Sequence, residues 1–142
     1  MNFNIITDLT TSEIKFLSEQ ITNYNLSKIP PTDNELFKKI NLIIKYEKGE
    51  ILAGLLGEKY YMNAAHIDTL WVDENFRGID LGTNLLAKFE EIVKNLNCFM
   101  VHLDTFDFQA PKFYEKNGYK LYGTLNDNPI GHKRFYYYKI LG

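Results

Sequence analysis

The sequence predicts an α/β domain in which helices cover one mixed sheet, and three observations lead there. Two β-type runs, "NLIIKYE" and "EILAGLLGEKYY", flank Lys48-Gly49 as antiparallel strands flank a short turn. Two segments carry the apolar period of helices, one near the start and one from Gly82. In the second half strand-like and helix-like patterns alternate, the order of a layered α/β architecture.

In chain order, Phe3 to Thr7 reads as a short apolar strand, and Thr10 with Glu13 three residues later reads as a capping box opening a helix. Ile14, Leu17, Ile21 and Tyr24 recur along that helix at helical spacing, and Pro30-Pro31 ends the region. An irregular stretch to about Asn34 precedes the hairpin, and "AAHIDTLWV" is the next strand. From Gly82, the residues Leu85, Leu86, Phe89, Ile92, Val93 and Leu96 form one apolar stripe. "FMVHLDTF" is a strand, Pro111 to Asn117 a short helix with Gly118 just past its end, and "YKLYGTL" and "RFYYYKIL" are two closing strands.

A chain of 142 residues, 45% hydrophobic, suffices for one buried core and is short for two, and no linker or repeat divides it. The expected organisation is one domain, 1–142. A formal net charge of −2 provides no basic field for nucleic acid or an anionic membrane surface. The N-terminal residues lack the basic and apolar regions of a signal peptide, and no apolar run approaches the roughly 18 residues of a membrane span, so a cytoplasmic location is expected. The single cysteine, Cys98, rules out an internal disulfide and a multi-cysteine metal site, and no His, Cys and carboxylate spacing suggests a metal. Cys98 suits the start of a buried strand better than a nucleophilic role.

The stretch "FRGIDLGTNLL", residues 76–86, places a glycine-bearing turn between a strand and a helix. Such a turn aims free backbone N–H groups and the positive end of the helix dipole at one point, which suits an anion without any lysine. It lacks the Gly-Lys-Ser/Thr of a Walker loop and the spacing of the dinucleotide fingerprint. Asp80 stands where a third glycine is expected; Asp tolerates left-handed backbone better than most residues, and its side chain is expected to cap or brace the loop.

"LWVDENFRGIDLGTNLL", followed about thirty residues later by "FQAPKFYEKNGY", resembles the GCN5-related N-acetyltransferase (GNAT) superfamily, small bacterial members in particular. Its coenzyme A pyrophosphate loop maps onto Arg77, Asp80 and Gly82, with Asp80 departing from the pattern where a glycine is usual, and Ala110, Tyr114, Gly118 and Tyr119 match its second motif. The element order agrees over essentially the whole chain. The resemblance implies the acyl-CoA N-acyltransferase fold, a single mixed, mostly antiparallel sheet flanked by helices. It implies acetyl transfer from acetyl-coenzyme A to a primary amine of a small molecule or protein, by direct attack in a ternary complex. The competing reading is a non-catalytic acyl-CoA-binding sensor or interaction module with the same fold.

What the resemblance implies for single residues follows. Arg77, Gly78, Ile79, Asp80, Leu81, Gly82 and Thr83 would hold the coenzyme's pyrophosphate. Leu70 N–H would stabilise the tetrahedral oxyanion, a contribution of roughly 3 kcal/mol for a well-placed donor, and Val72 would bond the pantetheine arm. Tyr114 would protonate the departing thiolate; taken alone it suits a packing role beside Phe113 better, and the motif reverses that preference. Asp107 replaces the Asn frequent at this superfamily position, and Gln109 could serve the coenzyme instead.

For the base, strand alternation puts His66 and Asp68 on one face of their strand and His102 and Asp104 on one face of theirs. An imidazole with a pKa near about 6.5 accepts a proton at neutral pH. His102 leads, then Asp68, with a plain strand role open for each His. Asp104 and Asp107 would give the cleft negative charge for a cationic amine, and "GHKRF" reads as a solvated turn. Aromatic edge strands leave monomer and homodimer open. The segment from Leu26 to Asn34, bordering the acceptor site by the resemblance, carries no code that identifies the amine.

Overall fold

The computed structural model describes residues 1–142, which form two compact units, residues 1–32 and 33–142. In the first, helix α1 spans Thr11–Lys28. Thr10 Oγ1 accepts the Glu13 N–H at 3.2 Å while Glu13 Oε1 accepts the Thr10 N–H at 2.8 Å, the reciprocal box that the spacing predicts. The strand expected at Phe3–Thr7 is not formed, so the sheet has six strands, one fewer than the sequence predicts. A short apolar run has little β preference of its own without a partner edge to share its backbone bonds, and Phe3 and Ile5 stand exposed.

The second unit contains β1 (Lys38–Lys45), β2 (Ile51–Tyr60), β3 (Ala64–Val72), a single 3-10 turn (Glu74–Phe76), α2 (Leu81–Asn95), β4 (Met100–Phe106), α3 (Pro111–Lys116), β5 (Lys120–Asn126) and β6 (Lys133–Ile140). The strands lie in the order β1-β2-β3-β4-β6-β5. All neighbours are antiparallel except β3 and β4, which are parallel and joined through α2, as a parallel pair requires a crossover. No helix is long and apolar enough to cross a membrane.

Two irregularities coincide on β3. Its ladder with β2 pairs Thr69 with Leu56 and Ile67 with Gly57, so Asp68 is an extra residue, a β-bulge. Its ladder with β4 ends at the pair Ile67 and Leu103, while the ladder with β2 continues to Val72. Beyond the bulge β3 therefore stays attached on one edge and is open on the other.

The core lies between the sheet and α2, where Leu85, Leu86, Phe89 and Val93 pack with Ala53, Leu55, Ala65, Ile67, Val101 and Leu103. This is the apolar stripe the sequence predicts, with Ile92 and Leu96 partly buried at its margin. A polar network anchors α3 to this core. Glu90 on α2 accepts the Tyr119 hydroxyl at 2.9 Å and the Lys139 ammonium at 2.8 Å, and Lys139 also donates to Asn117 O at 2.9 Å at the end of α3. Cys98 is a free, buried thiol within the core, and burial pushes its pKa up, which suits packing and not nucleophilic attack.

Gly57 lets α2 approach the sheet. A Cβ there would lie 2.5 Å from Phe89 Cε2 and 3.0 Å from the His66 carbonyl oxygen. Gly57→Ala is expected to destabilise the fold by about 1–3 kcal/mol through overpacking. Phe89→Leu in the same chain should relieve part of that cost, so that urea denaturation gives a double variant less destabilised than the sum of the singles.

Candidate functional site

The open edge of β3 is one wall of a cleft of about 920 Å³. Asp68 to Val72 line it from β3, Arg77, Gly78 and Asp80 to Thr83 from the following turn and α2, and Asp104, Thr105, Phe108, Gln109 and Tyr114 from β4, its loop and α3. Of the residues singled out in the sequence, Leu70, Val72, Arg77, Gly78, Asp80, Leu81, Gly82, Thr83, Asp68, Gln109 and Tyr114 thus converge, whereas Ile79, Asp107 and His102 are not in the lining.

Backbone direction along β3 follows from one bond. Asp73 N–H donates to Leu52 O at 2.8 Å, toward β2. Because N–H groups alternate along a strand, those of Val72 and Leu70 point the other way, into the gap left by β4. Their side chains pack on the core. The Asp68 bulge creates this combination, since it shifts the alternation by one residue between His66 and Leu70.

The turn into α2 is built as the sequence suggests, with one correction. Gly78 has φ +82° and Asp80 φ +66°, both left-handed, and Asp80 is the N-cap. Its side chain makes no capping hydrogen bond, so the expected bracing role is absent. The first intrahelical bond of the turn runs from Asn84 N to Asp80 O at 2.9 Å. The N–H groups of Leu81, Gly82 and Thr83 precede it and belong to the orphan donors of a helix start. These uncapped donors line the cleft beside Arg77, whose Nε donates to Val72 O at 3.2 Å. Gly82 is buried, and a Cβ there would lie 3.2 Å from the Phe113 ring.

Tyr114 reaches the cleft from α3, with rings of Phe113, Tyr119 and Tyr137 about it. Burial, reinforced by the negative charge of Asp104, pushes its phenol up to about 12, so it holds its proton at neutral pH. Gln109 spends its Oε1 on Thr105 Oγ1 at 2.9 Å and Phe106 N–H at 2.8 Å, which leaves the NH2 group for other partners. Asp107 is committed elsewhere. It accepts His132 Nδ1–H at 2.9 Å and the Lys133 N–H at 2.8 Å, and the Lys133 backbone bond in first place lowers its pKa.

The charge expected from Asp104 and Asp107 is correspondingly reduced. Asp104 faces the cleft, yet Arg134 Nε bonds it at 2.6 Å with Nη2 at 2.5 Å, and the guanidinium lies against the rings of Phe106 and Tyr136. Arg134 is thus built into an ion pair and His132 into a hydrogen bond with Asp107, where "GHKRF" read as a solvated turn. Asp68 carries the other cleft carboxylate and bonds His66 Nδ1 at 2.9 Å.

His102 stands apart from the cleft, in a smaller depression of about 400 Å³ with Tyr60, Met100, Tyr122 and Tyr138. Tyr60 Oη lies 2.6 Å from its Nε2. Burial raises the Tyr60 pKa and, joined by the nearby His66, lowers that of His102. Whichever of the two atoms carries the shared proton, Tyr60 occupies Nε2. Sequence reading took Tyr60 as strand filler and Arg134 as part of a solvated turn; both act across strands, and only cross-strand register brings them to their partners.

Residues 13–119 match the model of the acetyltransferase (GNAT) family. The chain is 40% identical to a blasticidin-S acetyltransferase of Streptomyces morookaense over 60% of its own length and 62% of that relative's. An acetyltransferase structure from Bacillus cereus is 36% identical, with a TM-score of 0.87 over 96% of this chain and 97% of that one. An acetyltransferase from Bacillus anthracis in complex with acetyl coenzyme A is 25% identical, with a TM-score of 0.64 over 72% and 62%.

The left-handed N-cap makes a testable demand. Asp80→Val should destabilise the protein by about 1–2 kcal/mol, since a β-branched side chain tolerates that backbone poorly, whereas Asp80→Gly should stay close to the wild type. Thermal denaturation of the two variants side by side measures the difference.

Proposed function

The chain belongs to the acetyltransferase (GNAT) family, and on that footing we propose that it moves acetyl from acetyl-coenzyme A to a primary amine by direct attack in a ternary complex. The observation that carries this reading is the convergence, in one cleft, of an uncapped helix start, the open β3 edge and a protonated Tyr114. The residues present fit the cosubstrate. The N–H groups of Leu81 to Thr83, with Gly78 and Arg77 beside them, suit a pyrophosphate, and the Val72 N–H suits an extended amide arm.

Leu70 N–H is then the donor for the oxyanion, in a site where its direction is set before any substrate arrives. Tyr114 donates its proton to the departing sulfur. Gln109 offers its NH2 to the coenzyme in place of Asp107. Asp68 marks the proton-accepting end, with His102 behind it, because Tyr60 already occupies the His102 nitrogen that a base would use. No step calls for a metal.

A small-molecule amine is the favoured acceptor class, supported by relatives named for blasticidin-S and for glucosamine 6-phosphate. The whole chain, 1–142, acts as one domain in this reading, since the family match crosses both units. The enzyme works in the cytoplasm, alongside the cosubstrate it consumes. A non-catalytic sensor is not favoured, because the relatives are acetyltransferases.

Calorimetric titration with acetyl-coenzyme A tests the loop. Micromolar binding is expected, weakened at least about tenfold by Arg77→Ala and by Gly82→Asp, which sets a carboxylate among the helix-start donors. No binding by the wild type would end the proposal.

A panel of polyamines, aminosugars, amino acids, aminonucleosides and lysine peptides, followed by thiol release, identifies the acceptor. With that acceptor, Tyr114→Phe should lower kcat by about 100-fold and leave coenzyme affinity nearly unchanged. With its pKa raised to about 12, Tyr114 remains an acid throughout the neutral and mildly alkaline range. Turnover should therefore show no Tyr114 alkaline limb below about pH 10, the ordinary phenol value.

A further inference from the structure

Two histidines face each other across β3 and β4. His66 and His102 are register partners one step before the strands part, and their ring centroids are 4.9 Å apart. They differ in which nitrogen is engaged. The Tyr60 phenol lies 2.6 Å from His102 Nε2 and occupies it. His66 is engaged at the other nitrogen. A carboxylate oxygen only accepts, so the 2.9 Å contact with Asp68 requires a proton on Nδ1, and in the neutral ring the lone pair is on Nε2. That nitrogen lies 3.9 Å from Asp104 Oδ1, beyond hydrogen-bond distance, and Asp104 is already held by Arg134.

We propose that His66 Nε2 is the base that takes the proton from the acceptor ammonium, with Asp68 as the positioning residue that fixes its tautomer and ring. This rests on the acetyl transfer proposed above and names the atom left open there. Asp68 and Asp104 line the cleft, and the imidazole contacts Asp68 at 2.9 Å and lies 3.9 Å from Asp104, so in this proposal the proton reaches it across one bridging water. The N–H bond of the ammonium breaks, its electron pair stays on nitrogen, and the proton goes to Nε2. The neutral amine attacks the acetyl carbonyl. As the C–S bond breaks, Tyr114 gives its proton to the sulfur and the second proton of the nitrogen returns to the Tyr114 oxygen, so the net reaction releases to solvent the one proton that Nε2 took.

Charged groups on neighbouring strands face this ring. Asp68 holds Nδ1 from the same strand, Asp104 faces Nε2 from β4, and Glu58 is the register partner on β2, paired with Lys39 of β1 at 2.7 Å. Arg134 offsets Asp104, and the ring of His102 stands beside His66.

The test is kcat/KM against pH for wild type, His66→Gln, His66→Ala and Asp68→Asn, with whichever amine the panel shows to be acetylated, alongside acetyl-coenzyme A titrations of each protein. His66→Gln should lose about 100-fold at neutral pH and recover only as the amine deprotonates by itself at higher pH. Asp68→Asn should lose at least about tenfold through the wrong tautomer. Added imidazole should restore His66→Ala, an effect that a purely structural role would not produce. Coenzyme affinity should stay within about twofold in all variants. Profiles of His66→Gln and Asp68→Asn that superimpose on the wild type would overturn the assignment while leaving the acetyltransferase reading in place. Wild type that binds no acetyl-coenzyme A, or acetylates no amine in the panel, would overturn that reading and this one with it.

Discussion

One extra residue in β3 underlies the rest of the site. Where Asp68 bulges out of the β2 ladder, β3 acquires added twist and leaves β4, and a sheet that would otherwise be continuous gains a slot. The bulge also shifts the alternation. Without it Leu70 and Val72 would present their side chains on the face of His66; with it they pack on the core and hold the strand down while their N–H groups face the slot. Open backbone donors are costly where nothing satisfies them. A fold that keeps two of them beside a cleft holds them ready for a ligand.

The opposite wall depends on a different device. α3 is only six residues long, too short to hold its place by helix propensity. Its Tyr114 is positioned by aromatic neighbours on β6 and by the Glu90 carboxylate, which ties α2 to Tyr119 and Lys139, with Lys139 closing the end of α3. The same burial that fixes the ring keeps its proton on. Packing and acid strength therefore have one cause.

Much of this was legible in the chain. The capping box at Thr10, the hairpin around Lys48-Gly49, the α2 stripe and the two glycine-bearing motifs all express local rules, in which spacing or a single residue's backbone preference determines the outcome. Asp80 illustrates the limit of such rules. Its left-handed conformation follows from the residue type, but its missing cap bond does not, because a side chain's partner depends on three-dimensional direction. Phe3–Thr7 shows the same limit from another side, since strand formation requires an edge elsewhere in the fold. The Asp68 bulge has no signature at all in its own residues; Gly57, across the ladder, is the nearest glycine, and its role is to admit Phe89.

His66 and His102 carry the point furthest. By sequence they are two imidazoles, each followed two residues later by an aspartate, and nothing separates them. In the fold, β2 brings Tyr60 to one of them and the bulge brings Asp68 to the other, so one ring is engaged at Nε2 and the other at Nδ1. Different free nitrogens follow, and with them different chemical capacities from side chains of the same type in the same register. A ring whose acceptor nitrogen is already filled stabilises the sheet; a ring whose acceptor nitrogen is open, with a carboxylate at its back, is equipped to take a proton. Function at this site is thus set by which neighbour reaches each nitrogen first, and that is decided by strand pairing.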